Sequence, residues 1–227
     1  MRLMFIAVLL AQAAAYGEQF FLINTCETGY HETFDCFEGT YLSLTNGFSV
    51  YKEYRTVMTN GDLDFRGVCE GGVTAGGCYS LQTASNNRAL GFQPTDTKYT
   101  PGIIEMRITN ASPYDIRTFS LSYDVVCLNN SDRSSSIKLE YGSPNVLSDT
   151  ASSINNLTPL LKDVSPVWTY SNVVAEIKPG YVLKRGACFV IRWIFDDAGG
   201  SGARDEYGID NIKITARSAG GTVIYIY

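Results

Sequence analysis

The sequence predicts an all-β fold, either a sandwich or a barrel, in a single domain. Helical periodicity is nearly absent from the 227 residues, whereas short runs that alternate apolar and polar residues recur along the chain. Turn-forming pairs such as Asn46-Gly47 and Pro179-Gly180 separate these runs. Because no internal repeat, low-complexity linker or block of charge interrupts the chain, one domain is the simplest organisation.

Strand signals occur in strong and weak segments. The strong ones are at residues 103–109, 118–126, 136–141, 173–177, 188–195 and 208–216. Weaker ones are at residues 41–50 and 78–83. Residues 147–167 lack the pattern, and their content of Ser, Asn, Leu and Pro predicts either a long loop or one short helix. The apolar, uncharged tail at 222–227 is either a last sheet strand or an exposed edge that pairs with another chain.

The first 15 residues have the pattern of a secretory signal peptide. Arg2 precedes an apolar run at 3–10, and small residues then lead to a cleavage position after Ala15. The alternative is a retained membrane anchor, but a spanning helix needs about 20 apolar residues and this run is shorter. The sequence therefore predicts a secreted protein without a membrane span, extracellular or at the cell surface, with residues 16–227 as its domain.

The cysteines predict a disulfide-bonded protein. All of them follow the predicted signal peptide: Cys26, Cys36, Cys69, Cys78, Cys127 and Cys188. An even number in an exported chain indicates disulfides. Closeness in sequence favours Cys26 with Cys36 and Cys69 with Cys78, which leaves Cys127 and Cys188 as a bridge between neighbouring strands. A zinc site is disfavoured because there is no Cys-x-x-Cys spacing and only one histidine.

Charge and composition argue against two classes of function. The net charge of −5 and the pI near 4.9, with no basic stripe, argue against nucleic acid as a partner. His31 is the only histidine, and no Gly-x-Ser-x-Gly sequence accompanies it. A glycosidase needs two carboxylates across a cleft, and nothing singles out a pair such as Asp197 and Glu206. The sequence therefore predicts that the protein is not an enzyme.

Carboxylates near the C-terminus suggest a calcium site. They flank a glycine-rich loop or lie in the run after it: Asp196, Asp197, Asp205, Glu206 and Asp210. Calcium takes roughly six to eight oxygen ligands. We expect Asp35 and Asp210 to project from adjacent terminal strands as calcium ligands. Asp196 and Asp205 complete the predicted site from the loop. In the alternative, the loop carboxylates are solvated charges that pair with Arg192 and Arg204.

Exposed aromatic side chains are the best candidates for ligand contacts. Tyr and Trp rings can stack on sugar rings while their polar ends stay in water. Trp168 and Tyr170 are the first candidates, and Tyr99 and Tyr114 come next. The alternative is that most of the 15 tyrosines fill the core. Trp193 is expected in the core because it lies in the most apolar strand.

Five short motifs together resemble a known module. They are residues 32–35 (ETFD), 87–91 (NRALG), 119–123 (FSLSY), 191–193 (IRW) and 207–212 (YGIDNI). Their order resembles a jelly-roll module of secreted bacterial surface proteins, often found beside lamin-tail or nuclease domains. More distantly, the pattern is similar to calcium-bearing carbohydrate-binding jelly rolls, whose first and last strands supply acidic ligands. Asn87 stands where the family often has Asp, and its usual bacterial members lack the six cysteines.

The resemblance implies an antiparallel jelly-roll β-sandwich with its core at about 32–215. The predicted export, the acidic and β-rich composition, the missing nucleophile–base pair and the surplus of Tyr and Trp together favour a secreted, non-catalytic module that binds an extracellular polysaccharide or glycoprotein. One alternative is a structural or assembly protein of a cell surface or extracellular matrix, which self-associates through its C-terminal strand. A more remote alternative is a glycoside-active enzyme. Asn110, Asn129 and Asn156 stand in Asn-x-Ser/Thr sequons and would be glycan acceptors in a eukaryotic host.

Overall fold

The computed structural model describes residues 21–23, 30–45, 47–53, 56–144, 146–154, 157–158, 161–218 and 223–224. The predicted signal peptide, Cys26, Asn156 and residues 225–227 lie outside this range, so secretion stays a prediction. Within it, no helix is long and apolar enough to cross a membrane.

Two β-sheets pack face to face, and the only helical element described is one short 3-10 turn at Tyr41–Ser43. The six-stranded sheet contains β1 (Phe21–Ile23), β3 (Phe48–Tyr51), β7 (Gly102–Asn110), β9 (Arg133–Ser143), β10 (Val146–Ile154) and β12 (Cys188–Gly200). The eight-stranded sheet contains β2 (Tyr30–Glu32), β4 (Phe65–Cys69), β5 (Gly77–Ala84), β6 (Asn87–Gln93), β8 (Ile116–Leu128), β11 (Trp168–Ile177), β13 (Glu206–Ser218) and β14 (Val223–Ile224). The prediction of an all-β sandwich is confirmed.

The strands β6 to β13 are connected as in a jelly roll. In the eight-stranded sheet β6 lies beside β13, which lies beside β8, followed by β11; in the other sheet the order is β7, β12, β9 and β10. Every connection between consecutive strands of this set crosses to the other sheet, except that from β9 to β10. Strands β6 and β13, the first and last of the set, pair with each other and close the sandwich.

The core lies between the two sheets and is rich in aromatic rings. Three ring pairs join one sheet to the other: Tyr123 with Trp193, Phe195 with Tyr207, and Phe119 with Phe189. Such a pair contributes about 0.5–1.5 kcal/mol beyond the burial of its apolar area. Trp193 is fully buried, so its predicted place in the core is confirmed.

Residues 147–154 do not form the long loop or short helix that was predicted for residues 147–167. Val146–Ile154 forms β10, the edge strand of the six-stranded sheet, and pairs with β9 through two register shifts. Its run of Ser, Thr and Asp hides the apolar alternation that marks the other strands. In the tail, Val223–Ile224 pairs with β13 of the same chain, which agrees with the last-strand alternative for those two residues.

The predicted disulfide pairs are not found. No disulfide joins any two of the five described cysteines. Cys78 packs in the main core, whereas Cys69 packs in a smaller apolar cluster on the opposite side of its sheet. Cys127 lies in the eight-stranded sheet and Cys188 in the six-stranded one, so the idea that they bridge neighbouring strands is wrong. A bridge to Cys26 stays a prediction.

Two of the predicted glycan acceptors are buried. Asn110 is fully buried, and its Nδ2 donates to the carbonyl oxygens of Tyr114 and Leu183, both at 2.8 Å. Asn129 is also buried, and its Nδ2 donates to the carbonyl oxygen of Leu161 at 3.1 Å. Because Nδ2 is the atom that would carry the glycan, neither side chain is accessible for modification in the folded chain.

Candidate functional site

The outer face is the side of the eight-stranded sheet that points away from the six-stranded sheet. Successive residues of a strand point to opposite sides, so Val125 and Ile209 enter the core while their neighbours Asp124 and Asp210 do not. The face is formed by Trp168, Tyr170 and Asn172 of β11, Asp124, Val126 and Leu128 of β8, Glu206, Gly208 and Asp210 of β13, Asn87, Ala89 and Gly91 of β6, and Tyr79, Leu81 and Thr83 of β5.

A row of hydrogen-bonded polar side chains, here called the polar row, crosses this face. In order it contains Asn172, Asp124, Asn211, Asp210 and Asn87. Asp124 accepts from Asn172 Nδ2 at 2.8 Å and from Asn211 Nδ2 at 2.9 Å. Asp210 accepts from Asn87 Nδ2 at 2.9 Å and from the Asn211 backbone N–H at 2.7 Å. The amides therefore link carboxylates from neighbouring strands.

A β-bulge places the central amide of the polar row. The register between β13 and β8 shifts between Asp210 and Lys213, and Asn211 has a φ of +51°. Asn tolerates this left-handed conformation better than most residues do. The bulge brings the side chain of Asn211 between Asp124 and Asp210.

The two carboxylates of the polar row differ in their surroundings. Asp210 is fully buried, and burial raises its pKa to about 6. Hydrogen bonds from Asn87 and Asn211 oppose this rise, while the charges of Asp35 and Asp124 add to it. Asp124 is only partly buried. It is therefore the carboxylate of the polar row that a ligand can reach.

Trp168 and Tyr170 lie beside the polar row on β11, the edge strand of the sheet. Trp168 is half-buried and packs against Val126 and other apolar residues of the outer face, and its Nε1 donates to the Glu70 carbonyl at 3.0 Å. Tyr170 is 47% exposed. It lies two residues from Asn172, on the same side of the strand, so an exposed ring and the polar row share one surface.

Paired glycines lie in the middle of the outer face, where the side chain of Leu81 packs against Gly91. Gly91 and Gly208 lie opposite each other on β6 and β13. A Cβ on Gly208 would lie 2.5 Å from the Leu90 carbonyl oxygen, and one on Gly91 would lie 2.3 Å from Leu81 Cδ1. The close approach of the two strands requires glycine at both positions. The motifs NRALG and YGID contain these glycines, but their role is visible only from the register.

Residues 70–76, the loop between β4 and β5, close one end of the outer face. Val73 N–H donates to Glu206 Oε1 at 3.0 Å, and Asn130 Nδ2 donates to Glu206 Oε2 at 2.6 Å. Glu206 is fully buried, and burial raises its pKa. A groove of about 550 Å³ lies between this loop and Trp168. The sequence predicts Glu206 to be a charge beside the glycine-rich loop that follows Asp197. In the structure its carboxylate instead accepts a hydrogen bond from Val73 and so holds the 70–76 loop in place.

Two of the four predicted ligand-binding rings are elsewhere. Tyr99 is fully buried and stacks on Phe92 with 5.0 Å between ring centroids, so its predicted ligand contact is wrong. Tyr114 is 54% exposed, in the turn before β8. It lies ten residues before Asp124 in sequence, and the intervening strand separates it from the polar row by about 25 Å.

The predicted calcium ligands do not form one group. Asp35 is exposed and lies close enough to Asp210 to raise its pKa. Asp205 precedes Asp210 by five residues along an extended segment, about 16 Å. Asp196 lies on β12 in the other sheet. The four-carboxylate site is therefore wrong as predicted.

The donor set at Asp210 does not fit a calcium ion as it stands. Its Oδ1 accepts the Asn211 N–H and its Oδ2 accepts the amides of Asn87 and Asn211. Within the described residues, no group of three or more His, Cys, Asp or Glu side chains could hold a metal ion. Calcium binding by Asp35 and Asp210 stays a prediction.

Of the alternative interpretation of the loop charges, the pairing of Arg204 is found, but Asp205 and Glu206 are fully buried rather than solvated. The Arg204 guanidinium binds Asp197 through Nε and Nη2, with the Nη2–Oδ2 distance at 2.9 Å. Arg192 instead pairs with Glu105 on the six-stranded sheet.

No protein-family model and no curated protein matches the chain. Among solved structures it is similar to the CBM22-1 xylan-binding domain of Paenibacillus barcinonensis Xyn10C, at 12% identity, with 85% of this chain and 98% of that one covered and a TM-score of 0.41. It is also similar to the K3 cleaved adhesin domain of Lys-gingipain from Porphyromonas gingivalis, at 11% identity, 82% and 97% coverage and a TM-score of 0.45.

A third similar structure is CBM28, a carbohydrate-binding module specific for non-crystalline cellulose, at 14% identity, 91% and 98% coverage and a TM-score of 0.37. At these identities and TM-scores the likenesses assign neither a family nor a ligand to this chain. A relation to modules beside lamin-tail or nuclease domains is not shown.

Proposed function

We propose that this protein is a non-catalytic glycan-binding module that holds a polysaccharide or glycoprotein glycan on its outer face. The observation that carries the proposal is the placement of Tyr170 beside the polar row on one exposed surface. A sugar ring has an apolar C–H face and a rim of hydroxyl groups. Binding it requires an aromatic ring and hydrogen-bonding groups a few ångströms apart.

The spacing on β11 suits one sugar unit. Tyr170 and Asn172 are two residues apart, about 7 Å along the strand, and both side chains are exposed. Asp124 lies directly opposite Asn172. A sugar stacked on Tyr170 would therefore present its hydroxyl groups to Asn172 and Asp124.

Asp124 has hydrogen-bonding capacity to spare. An ionised carboxylate offers about four acceptor positions. The amides of Asn172 and Asn211 occupy two of them and hold the carboxylate in place. The remaining positions accept ligand hydroxyl groups without any rearrangement, which lowers the entropic cost of binding.

The enzymatic alternative is disfavoured by the burial of Asp210. Glycoside hydrolysis needs two carboxyl groups that both face the scissile bond. Asp124 and Asp210 are close, since both accept from the amide of Asn211, but Asp210 is fully buried and all its described partners are N–H donors. One reachable carboxylate supports binding rather than turnover.

A glycan array followed by calorimetry tests the proposal. Tyr170→Ala should weaken binding of the best glycan by about 1 kcal/mol, or roughly fivefold in Kd, because a stacking contact is lost. Tyr114→Ala is the matched control, since its ring is exposed to a similar degree but lies away from the outer face. A glycan array without hits, or equal losses in the two variants, would contradict the proposal. Release of reducing sugar would favour the enzyme.

A further inference from the structure

A second concave region, here called the end cleft, lies at one end of the sandwich. It encloses about 840 Å³ and is bordered by the 70–76 loop and by residues around Gln93, Asn130 and Arg204. Natural small-molecule sites enclose roughly 300–1,000 Å³. None of the rings named on the outer face lines this cleft, although it shares Gly72 and Asn130 with the groove beside Trp168.

Two buried polar atoms without partners belong to the lining of the end cleft. Within the described part of the chain, five buried side-chain nitrogen or oxygen atoms have no hydrogen-bond partner, and two of them are on lining residues: Gln93 Oε1 and Arg133 Nε. The other three are on residues that do not line the cleft. Leaving a buried polar group unpaired costs about 1–3 kcal/mol, so an acceptor and a donor in one cleft indicate that something polar binds there.

Gln93 is the clearer of the two. It is 96% buried, since only 4% of its surface is exposed, and it lines the cleft. Its Nε2 donates to the carbonyl oxygens of Arg204 at 3.0 Å and Pro94 at 3.1 Å, which fixes the orientation of the amide. Its Oε1 is thereby held as an acceptor without a donor.

Asp205 lies behind the wall of the cleft and holds part of it in place. Its Oδ1 accepts the backbone N–H groups of Asn130 at 2.9 Å and Ser131 at 2.8 Å, and both of those residues line the cleft. At the cleft itself, the unpaired buried atoms are one acceptor, Gln93 Oε1, and one donor, Arg133 Nε.

The formal charges that border the cleft compensate one another. Arg204 binds Asp197 and, at 2.6 Å, Asp96, and Arg133 Nη2 lies 2.7 Å from Asp197. Two guanidinium groups thus face two carboxylates. A charged ligand would have to break one of these pairs, which leaves a desolvated charge without a partner.

We propose that the end cleft is a second binding site, for an uncharged, hydroxyl-rich ligand such as a neutral mono- or disaccharide. One hydroxyl group donates to the unpaired Oε1 of Gln93, and another accepts from Arg133 Nε. An uncharged ligand leaves the ion pairs intact. The site does not depend on glycan binding at the outer face.

The test uses the full chain carrying Tyr170→Ala, so that stacking on the outer face is removed. Saturation-transfer NMR is recorded with glucose, galactose, xylose, cellobiose and lactose, and with glucuronate and glucosamine as charged probes. We expect at least one neutral sugar to bind and both charged probes to give no signal. Binding of none of the neutral sugars, or binding of glucuronate or glucosamine in their place, would overturn the proposal.

Blocking variants then locate the bound sugar. Thr74→Trp, at an exposed residue that lines the cleft, should abolish the signal, and Thr97→Trp, at an exposed threonine that does not line it, should leave it unchanged. Ala203→Trp, on another part of the cleft wall, repeats the test should Thr74→Trp fail to fold. A signal that survives a folded cleft variant, or is lost with Thr97→Trp, places the sugar elsewhere and refutes the site.

Discussion

Both sheets carry carboxylates on the side that points away from the core, but they satisfy them differently. On the six-stranded sheet, the fully buried Glu105 accepts from Arg107 Nε at 2.6 Å and from Tyr51 OH at 3.0 Å, and it also pairs with Arg192. The Arg192 guanidinium lies 5.3 Å from the Tyr51 ring centroid. On the outer face of the other sheet, amides rather than guanidinium groups bind the carboxylates.

The difference shows which surface is suited to a ligand. Glu105 is neutralised by two guanidinium groups and is fully buried, so a hydroxyl group has little to gain from it. Asp124 is only partly buried and keeps free acceptor positions, since two uncharged amides are its described partners. The first arrangement stabilises a sheet, whereas the second leaves a carboxylate available for recognition.

The largest expected effect is at Glu105. Glu105→Ala removes the carboxylate that pairs with Arg192 and leaves that partly buried guanidinium uncompensated, so it should reduce the free energy of unfolding by about 3 kcal/mol or more. Urea denaturation measures the change. Glu176→Ala, which removes an exposed carboxylate paired with Lys178, is the control and should cost less than about 1 kcal/mol. Similar losses of stability in both variants would show that the buried Glu105 contributes no more than an exposed ion pair does.

The next effect is a pH dependence that comes from the eight-stranded sheet. Burial raises the pKa of Asp205 and of Asp210 to about 6 in the folded protein. The folded state therefore binds these protons more tightly than the unfolded state does. Their contribution to stability should fall as the pH rises from about 4 to about 6, by at most roughly 2–3 kcal/mol for each group, and stay level above that.

Denaturation of Asp210→Asn across the same pH range isolates one of these groups. The free energy of unfolding of the unsubstituted protein, relative to that of the variant, should decline between about pH 4 and pH 6, because only the unsubstituted protein carries the titrating carboxyl group. Asp115→Asn, at an exposed position, should show no such trend. If the free energies of unfolding of the unsubstituted protein and of Asp210→Asn differ by the same amount at every pH, burial does not raise the pKa of Asp210.

A smaller effect is expected on ligand binding, where the two sheets should differ. Asp124→Ala should weaken the glycan found on the array by about 1–1.5 kcal/mol, roughly five- to tenfold in Kd, because a hydrogen-bonding carboxylate is lost. Glu140→Ala removes a half-buried carboxylate of the six-stranded sheet and should leave Kd unchanged. If Glu140→Ala weakens binding as much, the outer face is not the binding surface.

The smallest expected effect concerns calcium. Bound calcium would stabilise the folded state by mass action, so chelation would lower Tm. Because the oxygens of Asp210 already accept N–H groups, we expect Tm to be the same with and without chelator. A fall in Tm that Asp210→Ala abolishes would instead establish Asp210 as a calcium ligand, as the sequence suggested.

Local patterns were enough to locate most strands but not all. The strands β7, β8 and β13 are predicted to within two residues of their observed ends, whereas β12 begins where predicted and ends five residues later. Strand β6 contains a glycine in its centre and β10 is largely polar, so neither shows the pattern. The burial of Tyr99 could not be predicted from local pattern either, because a tyrosine in a turn can be exposed or, as in this structure, fully buried.

The sequence by itself determined the all-β class and the core position of Trp193, since alternation and composition are local properties. Only the tertiary structure decided that Asn87, Asp124, Asn172 and Asp210 form one row. These residues are up to 123 positions apart, and strand register brings them together. Register depends on the packing of both sheets and on the bulge after Asp210, and neither is encoded in a short window of residues.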